Sequence, residues 1–139
     1  MKRLVVLFSI AMLMSCGSKR QEVVEQTFPN GKPKIVMIYE GSDEQRKLLE
    51  QKSYYIGGQI EVEGAFDENA KRNGNWIYYY ENGNKWSECE YSSGVRNGRI
   101  ATYFENGNKR YEGTYAEEKQ TGRWTFYEED GSVKEEKNY

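Results

Sequence analysis

The sequence predicts an all-β protein, an elongated single-layer antiparallel sheet of consecutive β-hairpins. The 139-residue chain contains 14 glycines and 12 tyrosines but only 2 prolines, a composition typical of turn-rich β structure. Three segments align without gaps, and their turn glycines, Gly83, Gly107 and Gly131, are each 24 residues apart. Each segment places an Asn-Gly or Asp-Gly pair, the strongest short-range hairpin signal, between two strand patterns. A repeat of this length therefore predicts an array of hairpins.

Residues 1–15 resemble a bacterial lipoprotein signal peptide and are excluded from the predicted fold. Lys2 and Arg3 precede a largely apolar run, residues 4–14, which is shorter than the roughly 20 residues needed to span a bilayer. The run ends in Leu13-Met14-Ser15-Cys16, which resembles the lipobox of these signal peptides. The resemblance implies cleavage before Cys16 and lipidation of that cysteine. The alternative is an ordinary secretory signal followed by a chance cysteine.

The segment after the predicted cleavage site, residues 16–27, is interpreted as the lipidated cysteine and a polar tether. Acyl chains on Cys16 would hold the mature chain at a membrane of the bacterial cell envelope. Gly17 stands where inner-membrane lipoproteins often carry aspartate, so the resemblance favours the outer membrane. The net charge of −2 is too balanced to indicate a nucleic-acid partner.

Residues 28–139 are predicted to form the repeat domain, with about five copies of which the first and last are degenerate. In each copy an aromatic residue follows the turn glycine by eight residues, and in most copies a tyrosine precedes it by four. Both residues of each Asn-Gly or Asp-Gly pair tolerate positive φ, which is why the pair favours a hairpin turn. Gly74, Gly98 and Gly122 are expected in the links between hairpins. The turn glycines are Gly31, Gly58, Gly83, Gly107 and Gly131, and the repeat aromatics are Tyr79, Tyr91, Tyr103, Tyr115 and Tyr127.

The repeat pattern is interrupted in residues 40–52, which lack a loop glycine. This segment is interpreted as a short helix or a long hairpin loop. Ser42 would be the helix N-cap, and Gln45 would complete a capping box.

Strand alternation assigns the second strand of each hairpin two different faces. One face carries Gly64, Cys89 and Gly113 at equivalent positions, which predicts a narrow slot with Cys89 as a small buried residue. The opposite face carries a column of glutamates about 10 Å apart, too far to share one ion or proton. This column is interpreted as a solvated face with cross-strand Lys and Arg partners. Its members are Glu63, Glu88, Glu112 and Glu136.

The three tryptophans, Trp76, Trp86 and Trp124, form the candidate binding surface. Aromatic side chains bury about 150–250 Å² each, and a single-layer sheet needs them for its core. The same residues can instead form a platform for a ligand if they are exposed. Their accessibility to solvent distinguishes the two interpretations.

Composition excludes most catalytic and metal chemistry. The chain contains no histidine, which removes the usual general base and the commonest metal ligand. No cluster of cysteines or convergent carboxylates indicates a metal site, and no phosphate-binding loop is present. We therefore predict no catalytic residue, no metal and no cofactor, and thus no enzyme.

The segment that carries a family resemblance runs Tyr111-Glu112-Gly113-Thr114-Tyr115, then Gly122, then Asp130-Gly131. It resembles the MORN repeat, and the longer Tyr-x-Glu-Asn-Gly segments are similar to the bacterial MORN-variant repeat. That family includes proteins labelled as antitoxin components. The resemblance implies an elongated twisted sheet of hairpins that acts as a scaffold or a protein-binding surface.

The resulting functional hypothesis is a non-catalytic, membrane-anchored repeat scaffold that binds an unidentified protein partner. One alternative is a lipoprotein surface that binds carbohydrate or peptide. Another is an antitoxin-like partner of an exported protein, since an exported chain cannot easily neutralise a cytosolic toxin. Direct phospholipid binding by the repeat domain is disfavoured because the mature domain is acidic.

Overall fold

A computed structural model describes residues 19–42 and 45–139, and this part of the chain forms one open ten-stranded sheet. All neighbouring strands are antiparallel, and their order in the sheet is their order in the sequence. The described residues contain no helix, so the predicted all-β fold of consecutive hairpins is confirmed. The strands are β1 (Arg20–Thr27), β2 (Pro33–Glu40), β3 (Lys47–Tyr54), β4 (Ile60–Phe66), β5 (Arg72–Tyr79), β6 (Lys85–Ser92), β7 (Val95–Tyr103), β8 (Lys109–Ala116), β9 (Lys119–Tyr127) and β10 (Val133–Asn138).

Five glycine turns lie along one edge of the sheet. Their glycines have φ between 81° and 99°, a conformation that costs glycine little. Asn82 is not among the positive-φ residues. Its side-chain oxygen instead accepts a hydrogen bond from the backbone N–H of Asn84 at 2.9 Å. The turn glycines are Gly31, Gly58, Gly83, Gly107 and Gly131.

The links at the other edge use different residues from those expected. Gly98 lies inside β7 rather than in a link, and the same holds for Gly74 in β5 and Gly122 in β9. Three residues of β7, 97–99, lie opposite the single residue Glu90 of β6 at this point, which is a β-bulge that positive φ at glycine accommodates. The β6–β7 turn instead places Ser93 and Gly94 at positive φ.

Two predictions for the N-terminal part are wrong. Residues 20–27 form β1 and not a tether, because their backbone pairs with β2, with Val23 opposite Met37. Residues 47–52 form β3 and not a helix, because pairing with β2 and β4 satisfies the backbone on both sides. The chain reverses between these strands, where the N–H of Gln45 donates to the carbonyl of Ser42 at 2.9 Å.

The predicted signal peptide, the lipidation site at Cys16 and the adjacent Gly17 lie outside the described residues. Those sequence-based predictions therefore stay predictions.

The largest buried side chains lie in one row across the middle of the sheet, on the face that we call the aromatic face. Trp76 and Trp124 are 0% and 1% exposed, and each lies against a glycine of a neighbouring strand. A Cβ on Gly64 would lie 2.3 Å from the Trp76 ring, so only glycine fits there. Cys89 is buried between Trp76 and Ile100, which confirms the prediction of a small packed residue. The row consists of Gly64, Trp76, Cys89, Ile100, Gly113 and Trp124.

The opposite surface, which we call the glutamate face, has a different character. Glu63, Glu88 and Glu112 lie on it, and so do the repeat tyrosines Tyr79, Tyr103 and Tyr127, each bonded to one of these carboxylates. The two faces are therefore chemically distinct, which decides where a ligand could bind.

Candidate binding surface on the aromatic face

The structure separates the three predicted surface tryptophans into two classes. Trp76 and Trp124 are core residues, and their indole N–H groups donate to the carbonyls of Ala65 at 2.9 Å and Thr114 at 3.3 Å. Trp86 is 46% exposed. The three side chains therefore do not form a common platform, and only Trp86 presents a surface for binding.

Trp86 reaches the aromatic face because of a β-bulge. Tyr78 pairs with Ser87, whereas Tyr79 pairs with Lys85, so Trp86 is an extra residue without a partner opposite it. Its ring packs edge-to-face on Tyr78, with ring centroids 5.7 Å apart. In a strand without a bulge, side chains alternate between the two faces, so Trp86 would lie on the glutamate face because Ser87 lies on the aromatic face. Sequence reasoning therefore missed the direction of the Trp86 side chain.

The middle copy of the repeat is smaller on the aromatic face than the copies on either side. Ile100 stands where the flanking copies have Trp76 and Trp124. Two residues further along the same strand, and thus on the same face, Thr102 stands where those copies have Tyr78 and Phe126. A groove of about 370 Å³ opens at this place, and we call it the central groove. Its lining residues are Tyr78, Trp86, Ser87, Cys89, Tyr91, Arg96, Ile100, Thr102, Arg110 and Tyr111.

The walls of the central groove are held in place by the neighbouring core. Tyr111 stacks on Trp124 with ring centroids 5.9 Å apart. Arg96 lies with its guanidinium 4.2 Å from the centroid of the Tyr115 ring, and its Nε donates to Glu118 at 2.7 Å. The hydrogen bond to Glu118 raises the pKa of Arg96, which therefore stays charged. A ligand would meet a largely preformed site.

Two groups at the floor of the central groove differ in chemistry. Burial raises the pKa of the Cys89 thiol to about 11, so the thiol is protonated at neutral pH and is a poor nucleophile. Thr102 is 6% exposed, and its hydroxyl oxygen has no hydrogen-bond partner among the described residues. Buried polar groups are nearly always hydrogen-bonded, so this buried and unpartnered hydroxyl is an exception within the sheet.

The repeat tyrosines contribute to both faces. Tyr91 and Tyr115 lie on the aromatic face. The Tyr91 ring packs against Trp76 with ring centroids 6.4 Å apart, and the Tyr115 ring packs against Trp124 with centroids 5.2 Å apart. On the glutamate face the hydroxyl of Tyr79 donates to Glu63 at 2.7 Å. Burial and this hydrogen bond raise the pKa of Tyr79 to about 12. The tyrosines of both faces therefore have structural partners within the sheet.

The glutamate column has a second set of partners, lysines of its own strands. Lys85 contacts Glu88 at 2.7 Å, and Lys109 contacts Glu112 at 2.6 Å. Sequence reasoning predicted cross-strand Lys and Arg partners, which is wrong for Lys85 and Lys109 because each lies on the same strand as its glutamate. It also missed the tyrosine hydroxyls, although the constant spacing of tyrosine and glutamate carried that signal. The column is a structural ladder rather than a reactive site.

The turn edge carries a further ladder that fixes consecutive hairpins to each other. The side-chain amide of Asn84 donates to the carbonyl of Glu105 at 2.7 Å, and that of Asn108 donates to Glu129 at 2.9 Å. The hydroxyl of Tyr80 donates to the carbonyl of Tyr103 at 2.8 Å. These bonds explain why asparagine recurs beside the turn glycine.

Within residues 19–42 and 45–139, no group of three or more cysteine, aspartate or glutamate side chains is placed to hold a metal ion. The same residues include no helix with the length and apolar character required to cross a bilayer.

Comparison with protein families identifies the repeat. Residues 72–93, 96–117 and 120–139 each match the family model described as the MORN repeat variant. No curated protein and no solved structure matches the chain significantly. The three matched segments each contain one strand pair joined at the turn edge, β5–β6, β7–β8 and β9–β10 in turn. Residues 72–139 therefore contain three consecutive segments that are similar to the MORN repeat variant.

Proposed function

We propose that the protein is a non-catalytic interaction module that presents its aromatic face to a protein partner while its N-terminus is anchored in a membrane. MORN repeats are generally protein-interaction or membrane-interaction modules. The observation that carries the proposal is the exposure of Trp86 beside a preformed groove, on a face that no second layer of the described residues covers. Tryptophan, tyrosine and arginine are the residues that most often dominate protein interfaces, and all three line this groove.

A protein partner suits this surface better than the carbohydrate alternative. A sugar platform would need several exposed tryptophans, and two of the three are buried. The lining of the central groove also contains no carboxylate or amide side chain to bind sugar hydroxyls. The antitoxin-like alternative is a special case of the same proposal, in which the partner is an exported protein.

The membrane anchor is the second part of the proposal. Acylation of Cys16 would place the repeat domain at a membrane of the bacterial envelope, with the outer membrane favoured by Gly17. We expect Cys16→Ser to move the protein from the membrane fraction to the soluble fraction and to leave the signal peptide uncut. Fractionation of the host cell, followed by immunoblotting, measures both effects. Membrane retention of folded Cys16→Ser protein would argue against the anchor.

The partner proposal is tested by site-specific photo-crosslinking in the native host. A benzoylphenylalanine placed at Trp86 keeps an aromatic ring on the aromatic face, and the same residue placed at Arg99 probes the glutamate face. Arg99 is the matched control because it is an exposed residue of the neighbouring strand. We expect one discrete protein adduct from position 86 and none from position 99. Equal adducts from both positions, or none from either, would refute the proposal.

A further inference from the structure

We propose that the central groove binds a peptide segment in which an apolar aromatic side chain is flanked by carboxylates. This inference rests on the proposed function and names the chemistry of the partner. It follows from the shape of the groove, its charge and the hydroxyl of Ser87 in its lining.

The shape argument comes from comparing equivalent positions of successive copies. The middle copy has Ile100 and Thr102 at these positions. The preceding copy has the larger residues Trp76 and Tyr78, and the following copy has Trp124 and Phe126. The missing bulk corresponds to about one aromatic side chain. The aromatic walls remain, because Tyr78 packs on Trp86 and Tyr111 stacks on Trp124. An inserted aromatic side chain would restore the packing that the flanking copies have within their own chain.

The charge argument comes from the two arginines of the lining. Arg96 is already paired with Glu118. Arg110 is exposed and has no ion pair among the described residues, and its guanidinium lies 5.9 Å from the Phe104 ring centroid. No aspartate or glutamate lines the groove. A ligand carboxylate would therefore meet a net positive site, and Arg110 is the residue free to pair with it.

The floor supplies the third argument. Ser87 lines the groove directly opposite Thr102, and its hydroxyl can both donate and accept hydrogen bonds. The backbone of a peptide carries N–H and carbonyl groups that can bond such a hydroxyl. A purely apolar ligand has no group to bond it, so a peptide is favoured over a lipid chain.

Trp86 gives a direct readout of binding to the full-length chain, because the other two tryptophans are buried. The probe is a capped heptapeptide, Gly-Gly-Glu-Phe-Glu-Gly-Gly. Matched peptides replace both glutamates with lysine or the phenylalanine with alanine. We expect the first peptide to change Trp86 emission and to protect it from acrylamide quenching, and both matched peptides to bind at least tenfold more weakly. Equal binding of the lysine peptide, or no binding of the first peptide, would overturn the proposal.

Two variants test the site itself. Thr102→Phe introduces the residue that the next copy has at this position, so it should fill the groove, leave the β-sheet circular dichroism intact and abolish peptide binding. Arg110→Gln changes an exposed side chain and should weaken binding at least fivefold without affecting folding. Arg99→Gln, on the glutamate face, is the control and should bind like wild type. Unchanged binding by Arg110→Gln, or by folded Thr102→Phe, would overturn the proposal.

The crosslinking experiment separates failure of this inference from failure of the proposed function. If the adduct from position 86 persists when Thr102→Phe is added, the interaction module stands and the groove is not its site. If the peptide binds as expected but no adduct forms in the host, the groove stands and the proposed protein partner is refuted.

Discussion

The four N-terminal strands and the six C-terminal strands share one sheet but bury different residues. In β5–β10 the buried aromatic side chains, Trp76 and Trp124, lie on the aromatic face. In β1–β4 the same row contains Met37 and Gln51, which are only partly buried. The well-buried apolar side chains there are Val36 and Ile38, and they lie on the other face, because Val36 pairs with Lys52 and Lys52 pairs with Glu63.

This difference shows that the turns and the core are specified separately. Gly31 and Gly83 have similar φ values of 81° and 88°, so the hairpin turns are alike in both regions. The side chains between the turns differ, and the family model matches only residues 72–139. In repeat arrays each unit contacts mainly its neighbours, so a region can change its core without changing the sheet.

The largest expected effect distinguishes the two cores. Trp124→Ala should lower the free energy of unfolding by about 3–5 kcal/mol, because it removes a fully buried indole. Ile38→Ala should cost about 2 kcal/mol, the lower end of the range for a buried isoleucine. Urea unfolding followed by circular dichroism measures both. Trp86→Ala is the control for an exposed tryptophan and should cost less than about 1 kcal/mol. An equal cost for Trp124→Ala and Ile38→Ala would show that the two regions have equivalent cores.

A second effect tests the close packing of glycine on tryptophan, which only the aromatic face uses. Gly113→Ala should cost about 1–3 kcal/mol, because its Cβ would lie 2.2 Å from the Trp124 ring and the ring cannot move within the packed row. Gly57→Ala is the N-terminal control, since the near atom there is the free end of the Gln59 side chain. Thermal unfolding of both variants measures the difference. Equal melting temperatures would contradict the packing described for Gly113.

A third effect should be the same in both regions. Gly107→Val and Gly31→Val place a β-branched residue at φ near 88° and 81°, and each should cost about 1–2 kcal/mol. Neither change meets a side chain at close range, so backbone strain is the cause. Parallel urea titrations compare the two variants. A cost at Gly107 with none at Gly31 would mean that the first hairpin turn is not required for the fold.

The sequence predicted the hairpins and their register because turn glycines and strand alternation are local signals. The burial of Cys89 also followed from them, since the same position holds Gly64 and Gly113 in the neighbouring hairpins. The strand at residues 20–27 was missed because polar side chains resemble a tether, and only pairing with β2 makes the segment a strand. The direction of Trp86 was missed because a β-bulge depends on the register of the partner strand.

The smallest expected effect concerns the glutamate ladder of the C-terminal copies. Hydrogen bonds from Lys109 and Tyr127 lower the pKa of Glu112. A carboxyl group whose pKa is lower in the folded state stabilises the protein above its unfolded pKa, and this contribution disappears as the pH falls through the folded value. Val36 of β2 lies in the same cross-strand row of the glutamate face as Glu112, and its side chain has no group that titrates.

We therefore expect Glu112→Gln to lower stability at pH 7 by less than about 1 kcal/mol, because the ion pair is partly exposed. The difference from wild type should be smaller at pH 3 than at pH 7, because pH 3 lies below the pKa of a glutamate in the unfolded chain, about 4.3. Val36→Ala supplies the matched comparison, since it weakens packing in the N-terminal copy and its effect should not change with pH. Urea midpoints at the two pH values measure both variants. A difference for Glu112→Gln that stays constant between pH 7 and pH 3 would assign its role to packing rather than to charge, and the two regions would then be stabilised by the same kind of interaction.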